Sequence, residues 1–193
     1  MPNPLNVVLL GAPSTGKTTL AERLAAEHNT LWMPEYGREY WDIHQVDRRL
    51  TLEQLVEIAE GHLEREVQLL QRVSCFLFTD TNALTTRLFS LYYHSAVHPR
   101  LEELARLAER RYDVVLVCDA DIPYDDTWDR SGDVQRHDFQ GWVLADLDAR
   151  HISYHLLRGD VETRVRQANQ ILVSGQLSAI SPRCRAESQK ADR

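Results

Sequence analysis

Cysteine is scarce in this chain: three residues, Cys75, Cys118 and Cys184, none at the short spacing that metal ligands take. An odd count, with no basic n-region at the N-terminus, gives no disulfide framework. Cys75 and Cys118 fall instead in apolar, strand-like runs, where a reduced thiol acts as a small hydrophobe. No apolar run approaches the roughly 20 residues that a membrane helix needs. Positive charge is in deficit, with 22 Lys and Arg against 29 Asp and Glu and a net charge of −7. That balance speaks against a general nucleic-acid or anionic-membrane surface, both of which select basic patches. Internal repeats are lacking too. The expected address is the cytoplasm and the expected partner a small molecule, with the oligomeric state unread.

What is present describes one domain. The chain has 193 residues, 43% hydrophobic and 26% charged, enough to bury roughly 70% of its unfolded surface without a staple. Fully apolar runs at 6–10 and 113–118 fit strands buried on both faces. Shorter strand candidates lie at 30–34, 75–79 and 152–157. Helical periodicity covers 18–28, 52–73, 83–93, 100–110 and 160–172, with 139–150 as a further short helix. Strands alternating with helices imply a parallel α/β sheet of about five strands with helices on both faces. Residues 1–173 form the domain, a charged segment at about 121–138 reads as a mobile lid, and the polar 174–193 reads as a disordered tail.

In such a sheet ligands sit beyond the carboxyl ends of the strands, so the residues after each strand carry the functional reading. After the first comes Gly11-Ala12-Pro13-Ser14-Thr15-Gly16-Lys17-Thr18, a full match to G-x-x-x-x-G-K-[ST]. Its glycines let backbone N–H groups turn inward around phosphate oxygens, and the following helix adds a positive N-terminus. Lys17 would reach the β- and γ-phosphates of ATP and the Thr18 hydroxyl would ligate Mg²⁺, with Thr19 completing the ATP-binding stretch. After the second strand, Glu35 could orient an acceptor hydroxyl and take its proton, or be a surface carboxylate. Arg38 could bind phosphate or pair with Glu39.

The third strand ends in Thr79-Asp80-Thr81-Asn82. Asp80 stands where a Mg²⁺-linked carboxylate belongs, with helix capping as the plainer reading for it and for Asn82. Asp119 is a rival for the metal. In the lid, Arg130 and Arg136 would stabilise the transferring phosphate and help exclude water, or simply pair with nearby acids. Tyr36 and Tyr124 belong to an aromatic set from which one or two rings could stack on a planar substrate. The stretch 160–166 is the candidate for the adenine side.

Taken in order, GAPSTGKTTL at 11–20, PEYGREY at 34–40, TDTNALTT at 79–86 and YDVVLVCDADIPYDDTWDR at 112–130 resemble the ribosylnicotinamide kinase domain of NadR-like proteins. The likeness covers about residues 6–172. It implies transfer of the γ-phosphate of ATP to the 5′-hydroxyl of nicotinamide riboside, giving nicotinamide mononucleotide. It also implies that Glu35 and Asp80 divide the acceptor and metal roles, that Arg130 and Arg136 hold phosphates, and that Glu35, Tyr36, Arg38, Asp80, Asn82 and Tyr124 line the acceptor. Two departures stand out. The P-loop strand starts almost at Met1, so adenylyltransferase and DNA-binding modules are not expected, and the lid lacks a glycine-containing Asp-Gly-x-Arg turn. The motifs also suit a kinase of another nucleoside or small alcohol, or a regulatory ATPase. No Asn-Lys-x-Asp guanine signature occurs.

Overall fold

The computed structural model describes residues 4–44, 49–123 and 136–174. Strand β1 (Leu5–Leu10) is central in a five-stranded, wholly parallel sheet of order β2-β3-β1-β4-β5. The others are β2 (Leu31–Met33), β3 (Phe76–Asp80), β4 (Val114–Cys118) and β5 (His155–Leu157). Helices α1 (Lys17–Glu27), α2 (Tyr36–His44), α3 (Leu52–Leu70), α4 (Ala83–His94), α5 (Pro99–Ala108), α6 (Arg136–Ala149) and α7 (Val161–Ser174) fill the crossovers and cover both faces.

The two-residue period of β1 divides the core. Val8 and Leu10 point into the cluster under α3, α4, α5 and α6, whereas Val7 and Leu9 point into the cluster under α1 and α7. All four are at most 1% exposed, as a strand covered on both faces requires. Every expected strand and helix is present, with ends shifted by a few residues. β5 keeps only the last part of the expected 152–157 run.

Helix α2 has no counterpart in the sequence reading, which gave residues 34–51 no element beyond the strand end. Tertiary contacts hold it. The Tyr36 ring lies against Gly61 of α3, the Arg65 guanidinium stacks 4.3 Å from the Tyr36 centroid, and Arg65 grips both oxygens of Glu39. A Cβ on Gly61 would come within 2.2 Å of the Tyr36 ring. Glycine therefore stands inside α3, despite its poor helix propensity, because α2 packs too close for any side chain.

One further correction concerns the thiols. Cys118 is free and fully buried, but Cys75, next to β3, is disulfide-bonded. An odd count of three leaves room for a single bridge. Among the described residues no helix is long and apolar enough to cross a membrane.

Candidate active site

All five strands, being parallel, direct their following loops to one edge of the sheet. The P-loop leaves β1 with Gly11 at φ +137 and rejoins helix at Gly16, φ +80. At Gly11 a Cβ would sit 2.5 Å from the Cys118 carbonyl oxygen, so β4 is the wall that demands glycine there. Gly16 caps α1 from the left-handed region with no side-chain cap bond, and the first turn of α1 holds no acid. Among the described residues no side chain caps the start of α1, which leaves its leading N–H groups available to an anion.

Buried polar side chains hold the loop in shape. Lys17 Nζ and Thr15 Oγ1 both donate to the Ala12 carbonyl, each at 2.9 Å. Gln140 of α6 accepts from the Ala12 N–H at 2.8 Å and donates to the Cys118 carbonyl at 3.1 Å. Arg164 of α7 donates to the carbonyls of Thr15 and Asp119 and to the Asp121 carboxylate. Pro13 and Ser14 are half-buried at the tip of the loop, Ser14 at φ 56, and Thr19 is exposed one turn into α1.

Parallel register sets Asp80 opposite Leu9. From there its Oδ2 accepts from the Thr18 hydroxyl at 2.5 Å, joining the end of β3 to the start of α1. Asp80 is fully buried and its Oδ1 has no hydrogen-bond partner. Burial pushes its carboxyl up to about 6, and the charge of Glu35 adds to the rise, while Lys17, the Thr18 hydroxyl and Arg38 oppose it. The next residue, Thr81, has φ 65, a strained conformation for a β-branched residue and one that concentrates at functional sites. Its N–H extends the β3–β1 ladder to the Leu9 carbonyl at 3.0 Å, so the turn re-aims the chain immediately after Asp80.

The remaining expected site residues divide as follows. Glu35 is half-buried between β2 and α2, and its charge is felt at both Asp80 and His62. Tyr36 is half-buried with one contact face taken by Arg65, so its ring braces α2 against α3. Arg38 is exposed in the first turn of α2, and its charge also reaches Asp80. Asn82 caps α4, its Oδ1 accepting from the Leu84 N–H at 3.0 Å, which is the plainer of the two roles considered. Arg136 is buried at the head of α6 and donates to the Ile122 carbonyl at 2.6 Å. Ile122 in turn packs against Gly16. Arg130 and Tyr124, most of the expected lid, and all but the first residue of the expected tail lie outside the described residues.

Asp119, the rival for the metal, has both carboxylate oxygens engaged. Burial would raise its carboxyl, but bonds from Arg158 at 2.8 Å and from the Ala120 N–H at 2.8 Å occupy both oxygens and lower it instead. At Asp80 the position is reversed. A buried carboxylate oxygen without a partner beside a hydroxyl is a hard-oxygen pair suited to Mg²⁺, which commonly takes one or two protein ligands and leaves the rest to phosphate and water. Among the described residues no cluster of three or more His, Cys, Asp or Glu could hold a metal alone.

Two positions escaped the sequence reading. Gln140 was not singled out, and Arg164 was covered only by the adenine-side stretch. A signal existed for both. Arg164, Ala168 and Leu172 form the buried stripe of α7, and Gln140, Val143 and Leu147 that of α6. A polar residue on an apolar stripe is what demands a partner.

Comparison with known proteins follows the same lines. A family model described as an AAA domain matches residues 6–164. The trifunctional NAD biosynthesis/regulator protein NadR of Escherichia coli is 30% identical over 152 residues, 77% of this chain and 37% of the relative. That of Salmonella typhimurium is 29% identical over 163 residues, 82% of this chain and 39% of the relative. The chain therefore spans less than two-fifths of the length of these relatives. A crystal structure of NadR protein in complex with NAD and AMP-PNP superposes with a TM-score of 0.71 at 25% identity, covering 92% of this chain and 51% of that one. Thymidylate kinase from Ehrlichia chaffeensis shares the fold alone, with a TM-score of 0.64 at 12% identity over 89% of this chain and 100% of that one. The chain belongs to the AAA-domain family, as a NadR-like P-loop NTPase domain with a kinase-like fold.

Proposed function

We propose that this domain is an ATP- and Mg²⁺-dependent kinase of a small hydroxyl compound, with nicotinamide riboside as acceptor and nicotinamide mononucleotide as product. The observation that carries the reading is the Thr18–Asp80 pair at the mouth of the P-loop, with the Glu35 carboxylate beside it. Phosphoryl transfer asks a protein mainly for positioning and charge stabilisation, and these residues supply both. The P-loop amides hold the β- and γ-phosphates, and Lys17 exchanges its bond to the Ala12 carbonyl for phosphate oxygens. Thr18 and Asp80 are the side chains that would hold Mg²⁺, which would supply positive charge against the phosphates. The Thr18 bond supports the metal-linked role for Asp80, which leaves Glu35 to orient the acceptor hydroxyl and take its proton. Arg38, Arg136 and Arg130 are proposed to stabilise the transferred group.

The acceptor is inferred from the relatives. The matched curated proteins are named for NAD biosynthesis and its regulation, and a second crystal structure is of NadR protein in complex with NR. An acidic pair, Glu35 and Asp80, beside the phosphate loop also suits a cationic nucleoside better than an anionic one.

The test is ADP release from ATP and Mg²⁺ with and without nicotinamide riboside, alongside a panel of other nucleosides, with product identified by mass. Acceptor-dependent ADP release with nicotinamide mononucleotide formed is the expected result. Lys17→Ala and Glu35→Gln should each lower turnover on the order of 10²-fold or more. Release that no acceptor stimulates would replace the kinase with an ATPase. Stimulation by another nucleoside alone would keep the chemistry and change the acceptor.

A further inference from the structure

We propose that Arg164 is the positioning residue that sets the P-loop for nucleotide binding, acting from behind the loop and together with Asp121. This rests on the P-loop being the ATP site. Arg164 is 2% exposed, the largest of the fully buried side chains among the described residues. It arises on α7, yet its guanidinium reaches three acceptors in two other segments: the Thr15 carbonyl in the P-loop, and the Asp119 carbonyl and Asp121 carboxylate in the loop after β4. Asp121 closes the arrangement, because its other oxygen accepts from the Gly159 N–H at 2.7 Å in the turn between β5 and α7. The loops after β1, β4 and β5 are thereby fixed to one another at the edge of the sheet where the phosphates bind.

The consequence for the site follows from peptide geometry. A trans peptide directs its C=O and the next N–H to opposite sides. Holding the Thr15 carbonyl toward Arg164 therefore turns the Gly16 N–H away from it, into the phosphate cradle. Ile122 and Arg164 flank Gly16 on that side: a Cβ there would lie 3.3 Å from Ile122 and 3.8 Å from Arg164 Nη1, so only glycine leaves the peptide this close to both without crowding. The guanidinium also adds a fixed positive charge behind the loop, which no rotation of Lys17 can replace. Asp121 takes part of that charge as an ion pair and fixes the plane of the fork.

The experiment measures ATP affinity and steady-state kinetics for the wild type, Arg164→Met, Arg164→Lys and Asp121→Asn, using a fluorescent ATP analogue and ATP itself. Arg164→Met is expected to weaken nucleotide binding about tenfold or more, and Arg164→Lys by an intermediate factor because a point donor cannot span three acceptors. Asp121→Asn should cost a few-fold. The acceptor KM at saturating ATP should stay within twofold in all three. A folded Arg164→Met chain with ATP affinity within twofold of wild type would overturn the proposal. If that variant does not fold, Arg164→Lys decides by the same criterion. Wild-type chain that bound no ATP would overturn the P-loop reading itself, whereas normal wild-type binding with unaffected variants overturns only the role of Arg164.

Discussion

Replacing Asp80 with Asn should separate what this carboxylate costs the fold from what it gives the chemistry. Burial raises the Asp80 carboxyl from its ordinary 3.8 to about 6, and the attraction of Lys17 only partly offsets the rise. The folded chain therefore holds the proton more tightly than the unfolded one. By linkage, its contribution to stability is complete below about pH 4, declines as pH rises toward 6, and stays lost above that. A displacement of about two pH units is worth about 3 kcal/mol. Asparagine resembles the protonated carboxyl: it keeps an oxygen for the Thr18 hydroxyl and carries no charge. Asp80→Asn should thus be more stable than wild type by up to about 3 kcal/mol at pH 8, an upper limit of roughly 6–12 °C in Tm for a chain of this size. The gain should close toward zero near pH 4, while turnover falls on the order of 10²-fold or more. Paired urea titrations across that pH range, with ADP release at pH 8, make the measurement. Equal stability at pH 8, or an offset independent of pH, would refute the reasoning, since the whole cost is assigned to ionising this group.

Two glycine variants test the packing around the site. Gly11→Ala would press a methyl to 2.5 Å from the Cys118 carbonyl oxygen and 3.0 Å from Thr15 Oγ1, at a φ of +137. It should lose ATP binding and roughly 2 kcal/mol or more of stability, read by nucleotide titration and thermal melting. Gly61→Ala gains up to about 1 kcal/mol of helix propensity but displaces the Tyr36 ring, 2.2 Å from the new carbon. The acceptor KM should rise while the ATP KM holds, and a more stable chain with both constants unchanged would show that the seating of α2 does not position Glu35.

How much of this was legible in the sequence depends on the range of each interaction. The P-loop is local: eight consecutive residues between a buried strand and a helix, which the glycine and lysine pattern defines without reference to the rest of the chain. Asp80 is nearly as local, since an acid at the end of an apolar strand takes its direction from the strand. Helix α2 was not readable, because its stability comes from Arg65, Glu57 and Gly61 on α3. Arg65 holds Glu39, and the Tyr40 hydroxyl donates to Glu57; burial, and then that bond, push Tyr40 up to about 12. Thr81 gave no warning either, as nothing in its side chain favours a positive φ. The geometry is imposed by the β3–β1 ladder on one side and the Asn82 cap on the other.

The partners of the P-loop lie furthest from it in sequence, yet they follow a common rule. Gln140, Arg164 and Glu66 each occupy the buried stripe of a helix where an apolar residue would be cheaper. Glu66, fully buried, is satisfied by Asn6 at 3.0 Å, by Tyr112 at 2.7 Å and by Arg111, and so ties α3 to the central strand and to the approach to β4. Gln140 and Arg164 do the same for α6 and α7, and each counts a P-loop backbone group among its partners, the Ala12 N–H for one and the Thr15 carbonyl for the other. A buried polar side chain costs free energy unless every group finds its partner, so such residues fix one geometry and penalise all others. Apolar packing alone would hold α6 and α7 against the sheet while leaving the peptides at Ala12 and Thr15 free to turn. It is the two polar intrusions, on helices that contribute no residue to the motif itself, that specify which way those peptides face.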